Sequence, residues 1–203
     1  IMEAASSSPD RLIGLGCFSL ASPGAVVEAE RCLSGGMAGI GELAVYQSDL
    51  TATLQDHIDP LMALSRENGC PVLLHTNEPV GHDYPGKTPM TLQALYRLIL
   101  RFPENKLVLA HWGGGIFFYQ LMKKDVKARF KNIYFDTAAS PYLYDSAVYT
   151  VALQILGREK ILFGSDFPLL NPDRYFAEWR SSGLSDADIC RISGMNAAGL
   201  LNL

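Results

Sequence analysis

Five short aliphatic runs in this chain each lead into one ionisable residue. Gly39-Ile40-Gly41 leads to Glu42, Val72-Leu73-Leu74 to His75 and Leu107-Val108-Leu109-Ala110 to His111. Ile133-Tyr134-Phe135 leads to Asp136, and Ile161-Leu162-Phe163-Gly164-Ser165 to Asp166. An aliphatic run of strand length without polar alternation reads as a strand buried on both faces, the pattern of a parallel sheet covered by helices. The ionisable residue at its end leaves that layer and faces the rim, where a parallel α/β barrel builds its active site. Any one of them could merely cap its strand. Two histidines and three carboxylates at one rim favour a metal-assisted or acid–base site.

The runs alternate with helical signals. Strands are expected over residues 12–18, 38–45, 72–76, 106–112, 133–137 and 161–166. Thr88-Pro89 offers an N-cap and a first-turn proline ahead of Leu92, Leu95, Tyr96 and Ile99 at helical spacing. Leu54, Ile58 and Leu61 mark a second helix that stops at Asn68-Gly69, and Gly35-Gly36 ends a third containing Val26 and Val27. Asn171-Pro172 opens another, Ser185 begins a capping pattern, and Asn196 starts a last short helix. Strand and helix in alternation imply right-handed crossovers and a parallel sheet. No Ser/Gly-rich linker divides the 203 residues, so residues 1–203 read as one domain.

Composition excludes several classes. Hydrophobic residues make up 48% and charged residues 19%, a globular balance, and a net charge of -4 argues against a nucleic-acid partner. The basic stretch from Lys123 to Arg129 reads as the solvated end of a helix. Four scattered cysteines without a CxxC pair fit neither a structural zinc site nor a disulfide scaffold. No run is long enough to span a bilayer, and residues 1–10 lack the order of a signal peptide. No membrane partner and a cytoplasmic location are therefore expected.

His75 and His111, equivalently placed, are the first candidates for metal ligation or proton transfer. Asp166, between Ser165 and Phe167-Pro168, is a candidate ligand and proton acceptor, and Asp136 is expected to orient a histidine or a loop amide. His82, in the turn-rich loop after His75, and Trp112, beside His111, are candidate substrate contacts. His57 reads as solvated on its helix. Gly113-Gly114-Gly115 does not follow a dinucleotide fingerprint and reads as a sharp backbone turn.

The segments PVLLHTNEP, KLVLAHWGGG, NIYFDTAAS and ILFGSDFPLL, in this order and spacing, resemble the amidohydrolase superfamily, and most closely its amidohydrolase-2 branch of metal-dependent hydrolases. The resemblance implies a (β/α)₈ TIM barrel binding one or two divalent metals, zinc first, with manganese, iron or nickel admitted by the same ligand types. It makes His75 a metal ligand on strand five and His111 the strand-six histidine that holds a second metal or polarises the substrate. Asp166 becomes the strand-eight ligand and proton shuttle, and Glu42 a strand-four ligand. It also implies a small-molecule substrate and, as is common among relatives, a homodimer.

The superfamily's His-x-His pair of strand one is not found among the four histidines. About six βα units are recognisable, so the first two strands, roughly fifty to seventy residues at the scale of such barrels, are expected outside this chain, or a partner segment is expected to fill their place. The metal could then be absent from this chain alone. The expected activity is metal-assisted hydrolysis of a C–O or C–N bond in an amide, ester or lactone. Decarboxylation by a related site is the alternative, and a non-catalytic scaffold without a complete metal site is a third reading.

Overall fold

The computed structural model describes residues 1–203. Its six strands are β1 (Leu15–Gly16), β2 (Gly39–Leu43), β3 (Val72–Leu74), β4 (Leu107–Leu109), β5 (Ile133–Asp136) and β6 (Ile161–Leu162). They follow one another in a six-stranded sheet in chain order. β1 pairs with β2, β2 with β3 and β5 with β6, all in parallel. Every expected strand is present and each is shorter than its expected span. The remaining residues of each span lie in the segments that enter or leave the strand.

Two compact units divide the chain: Ile1–His75 with Tyr84–Val108, and Thr76–Asp83 with Leu109–Leu203. In the first, helices Ala25–Ser34, Ala52–Glu67 and Leu92–Arg101 follow β1, β2 and β3. The first of these ends at Gly35-Gly36 and the second at Asn68-Gly69, as expected. The third starts later than expected, because Thr91, not Thr88, is its cap: the Thr91 hydroxyl accepts from the Ala94 N–H at 3.1 Å. Thr88 is buried and Pro89 lies ahead of the helix. Ala94, Leu95, Leu98 and Ile99 bury one face of that helix. Each Leu or Ile so buried contributes about 1.5–3 kcal/mol relative to exposure.

The second unit is built on aromatic packing. Trp112 meets Phe117 and Tyr149, Tyr149 meets Trp179, and Phe163 meets Tyr175, Phe176 and Trp179, all at ring separations of 5.3–6.2 Å. Asn171 caps helix Pro172–Ser181 by accepting from Asp173 N–H, and Ser185 caps Asp186–Cys190 by accepting from Asp188 N–H. A π-helical turn, Arg191–Met195, leads into helix Asn196–Leu201. The Asn196 amide fastens that helix to the start of β6, donating to the carbonyls of Arg158 (2.6 Å) and Ile161 (2.8 Å). The basic stretch is a short helix of its own, Lys124–Arg129, with only Val126 buried. No helix is long and apolar enough to cross a membrane.

Candidate metal centre

In the first unit, β2 and β3 bring two of the expected ligands into contact. Leu43 is in register with Leu74, and the His75 N–H donates to the Leu43 carbonyl at 2.9 Å. That register sets Glu42 beside His75, whose Nδ1 lies 2.8 Å from Glu42 Oε1. A carboxylate oxygen accepts, so Nδ1 carries the proton and Nε2 keeps the lone pair, the arrangement in which a carboxylate fixes the tautomer of a ligating histidine. The approach of the two strands requires glycine at position 41. Its φ is +135°, and a Cβ there would lie 2.5 Å from the Leu73 carbonyl oxygen.

In the second unit, His111 is held by its main chain and by its ring. Asp136 Oδ1 accepts from the N–H groups of both His111 and Ala138 at 2.9 Å. His111 Nδ1 lies 3.0 Å from the Ala138 carbonyl oxygen. A carbonyl only accepts, so here too the proton sits on Nδ1 and Nε2 is the basic nitrogen. The Tyr144 hydroxyl donates to the His111 carbonyl at 3.1 Å. Asp136 thus orients both a histidine and a loop amide, the part the sequence suggested for it.

From His111 the chain passes through five successive left-handed residues, with φ of 54° at His111, 58° at Trp112, 64° at Gly113, 61° at Gly114 and 91° at Gly115. This is the sharp turn expected of the glycine run, and it carries Trp112 inward. Trp112 is fully buried, and its Nε1 donates to Ser140 Oγ at 2.7 Å. The indole is closed in by Phe117 and Tyr149 and supports the His111 turn from behind. His82 lies exposed in the loop after β3, as its sequence suggested.

Asp166 is exposed at a left-handed position, φ 58°, and the Leu169 N–H donates to its carbonyl at 2.8 Å. Beneath this turn the Tyr175 hydroxyl donates to the Ser165 carbonyl at 2.9 Å. Burial pushes the Tyr175 phenol well above its usual range, and the nearby Asp166 and Asp136 carboxylates add to the shift. Tyr175 therefore stays a neutral donor that fixes the turn and is no proton carrier near neutral pH. Sequence reasoning missed His57. It is half-buried, with Nδ1 2.7 Å from the Leu20 carbonyl oxygen, and the partner lies 37 residues away where no local pattern signals it.

Parallel strands in chain order, with histidines and carboxylates at their C-terminal ends, define a TIM-barrel protein of the amidohydrolase type. The family model described as Amidohydrolase matches residues 1–203, and the chain belongs to that family. Among curated proteins none matches. Among solved structures, the chain resembles 2,6-dihydroxybenzoate decarboxylase from Rhizobium, with 19% identity over 99% of this chain and 74% of that one, at a TM-score of 0.72. It resembles 5-carboxyvanillate decarboxylase from Sphingomonas paucimobilis at 20% identity, covering 100% and 70% of the two chains, at a TM-score of 0.76. A dihydroxybenzoic acid decarboxylase from Polaromonas sp., solved with bound manganese and the inhibitor 2-nitroresorcinol, matches at 22% identity, 100% and 72% coverage and a TM-score of 0.73.

Proposed function

We propose that this chain carries the site of a metal-dependent decarboxylase of small aromatic or unsaturated carboxylic acids. The observation that carries the reading is the pair of histidines whose Nδ1 atoms are both tied to acceptors, which turns both Nε2 atoms into donors for a cation. Glu42 and His75 in the first unit, and His111 in the second, are each assigned as a ligand, since carboxylate and neutral imidazole are donor types that hold a divalent ion. Asp166 is assigned as a further ligand and as the proton-carrying group. The likeness to decarboxylases, one of them solved with manganese, supports this chemistry over hydrolysis and manganese beside zinc.

When bound, a divalent ion supplies the positive charge that grips a carboxylate and stabilises developing negative charge. Glu42 and the Ala138 carbonyl keep the two rings in their ligating tautomer, and Asp136 holds the backbone of both His111 and Ala138. Loss of carbon dioxide leaves the electrons of the broken C–C bond on the ring carbon, which must gain one proton. Asp166, exposed on its turn, delivers that proton from a carboxyl oxygen. The loop bearing His82 is assigned to substrate contact. Hydrolysis of an amide, ester or lactone is the second reading, favoured by the description of the family itself.

The test is incubation of the purified full-length protein, loaded with manganese or zinc, with 2,6-dihydroxybenzoate and related acids while carbon dioxide is measured. Release that depends on metal is the expected result. Turnover of amides or lactones without carbon dioxide release would replace this reading by the hydrolytic one, and absence of bound metal would leave a scaffold. Asp166→Asn is expected to lower turnover by about 10²–10⁴-fold, the usual worth of a positioned acid–base group, with an unchanged circular dichroism spectrum.

A further inference from the structure

β6 ends at Leu162, and the next N–H, that of Phe163, donates to the Ile192 carbonyl at 2.9 Å. One residue further on, a side chain draws the strand end back towards β5. The Thr137 hydroxyl donates to the Gly164 carbonyl at 2.9 Å and accepts from the Gly164 N–H at 3.1 Å. A hydroxyl has one donor and two acceptor sites, so it takes the place of a peptide group on both sides of that exchange. Glycine at position 164 permits the approach, since a Cβ there would lie 3.1 Å from both Ala138 Cβ and Asp136 Cγ.

Thr137 is fully buried, and each of its hydrogen-bonding groups is engaged. Its N–H donates to the Leu162 carbonyl at 3.1 Å. Its carbonyl accepts from the Ser140 N–H at 3.0 Å and from the Ser140 hydroxyl at 2.6 Å. Ser140 Oγ is also the acceptor for Trp112 Nε1, on the residue next to His111. Thr137 therefore bonds towards the His111 turn on one side and to Gly164, two residues ahead of Asp166, on the other. The Asp166 turn needs such a hold. Phe167 and Leu169 are 74% and 57% exposed, so little packing restrains the turn from the solvent side, and Tyr175 grips only the Ser165 carbonyl.

We propose that Thr137 is a positioning residue for Asp166, fixing the place of its carboxylate relative to His111. The inference rests on the proposed delivery of a proton by Asp166. Misplacing a reacting group by about 1 Å costs a rate factor of about 10², so an exposed acid on an unanchored turn would be a poor proton donor.

The experiment compares the full-length parent with Thr137→Val, which keeps the shape and loses the hydroxyl, and with Thr137→Ser, which restores it. Amide hydrogen exchange of residues 163–170 is read in each, together with manganese content and with kcat and KM for decarboxylation of 2,6-dihydroxybenzoate. Thr137→Val is expected to speed exchange at Gly164 and Leu169 by about tenfold, the scale of one lost hydrogen bond. Its kcat is expected to fall by about 10–10²-fold with KM and manganese content unchanged, and Thr137→Ser to return both exchange and kcat close to the parent. Gly164→Ala reaches the same contact from the other strand, and faster exchange at Leu169 with the same loss of kcat is expected there too, which keeps the test sound should Thr137→Val fail to fold. Parent-like exchange in the variants would overturn the proposal, as would a fall in kcat that comes with lost manganese and is not restored by serine. Faster exchange in a protein that releases no carbon dioxide would keep Thr137 as the anchor of the turn and remove the proposed function. Decarboxylation at the parent's rate in Thr137→Val and Gly164→Ala would keep the function and overturn the positioning role.

Discussion

A single oxygen, Asp136 Oδ1, accepts from two N–H groups, those of His111 and Ala138, at a carboxylate that is itself buried. Alanine at position 136 leaves both donors without their acceptor, and each such loss costs about 1–3 kcal/mol. Asp136→Ala is therefore expected to lower stability by roughly 2–4 kcal/mol, while Asp136→Asn, which keeps a carbonyl oxygen in place, recovers most of that. Urea midpoints of the two variants decide it, and equal losses would mean that the charge and not the acceptor matters. What was legible at this scale followed from locality. His75 and His111 announce themselves because an aliphatic run directly precedes each. Their fixed tautomers were not legible, since the acceptors, Glu42 and the Ala138 carbonyl, lie 33 and 27 residues away in sequence. His57 was misread for the same reason: mid-helix position says nothing about a loop 37 residues earlier.

The element that places His111 is the left-handed run from His111 to Gly115. Left-handed backbone costs an L residue with a Cβ about 1–2 kcal/mol, so glycine at three of the five positions is what makes the turn affordable. Two of these glycines differ in surroundings. A Cβ on Gly113 would lie 2.9 Å from both Ile116 Cγ2 and Phe135 Cε1, whereas one on Gly115 would meet nothing within 4 Å. Gly115→Ala is expected to lose only the conformational cost, about 1–2 kcal/mol. Gly113→Ala adds overpacking of a further 1–3 kcal/mol, measurable as a lower urea midpoint than that of Gly115→Ala. Equal losses would show that the core around Phe135 yields. The glycine triplet signalled a turn in the sequence, but the packing of Trp112 against Phe117 and Tyr149 that accompanies it involves residues which no local pattern encodes. Strand positions were legible for a similar reason and strand lengths were not: apolar runs mark what is buried, while β6 ends at Leu162, where the next N–H, that of Phe163, donates to the distant Ile192 carbonyl.

At the scale of the whole chain, each unit carries its own reporters. Both tryptophans, Trp112 and Trp179, belong to the second unit and are fully buried, so tryptophan emission, excited apart from tyrosine, reports on that unit. The first unit is reported by thiols. Cys32 is buried and Cys70 half-buried, and burial pushes both thiols above their usual range. The thiolate is the reactive form, so a raised value and restricted access both slow alkylation. Cys17 in the first unit and Cys190 in the second are exposed. Alkylation near pH 8 is expected to modify Cys17 and Cys190 rapidly in the native protein, and Cys32 and Cys70 only as denaturant opens the first unit. Peptide mass spectrometry at each denaturant concentration assigns the labels, and the fluorescence of the same samples gives the transition of the second unit. Rapid native labelling of Cys32 would contradict the packing of helix Ala25–Ser34 against β1, because Cys32 Cβ lies where a Cβ on Gly16 would come within 2.7 Å of it. Slow labelling there, tracking the loss of secondary structure, is the outcome this packing requires.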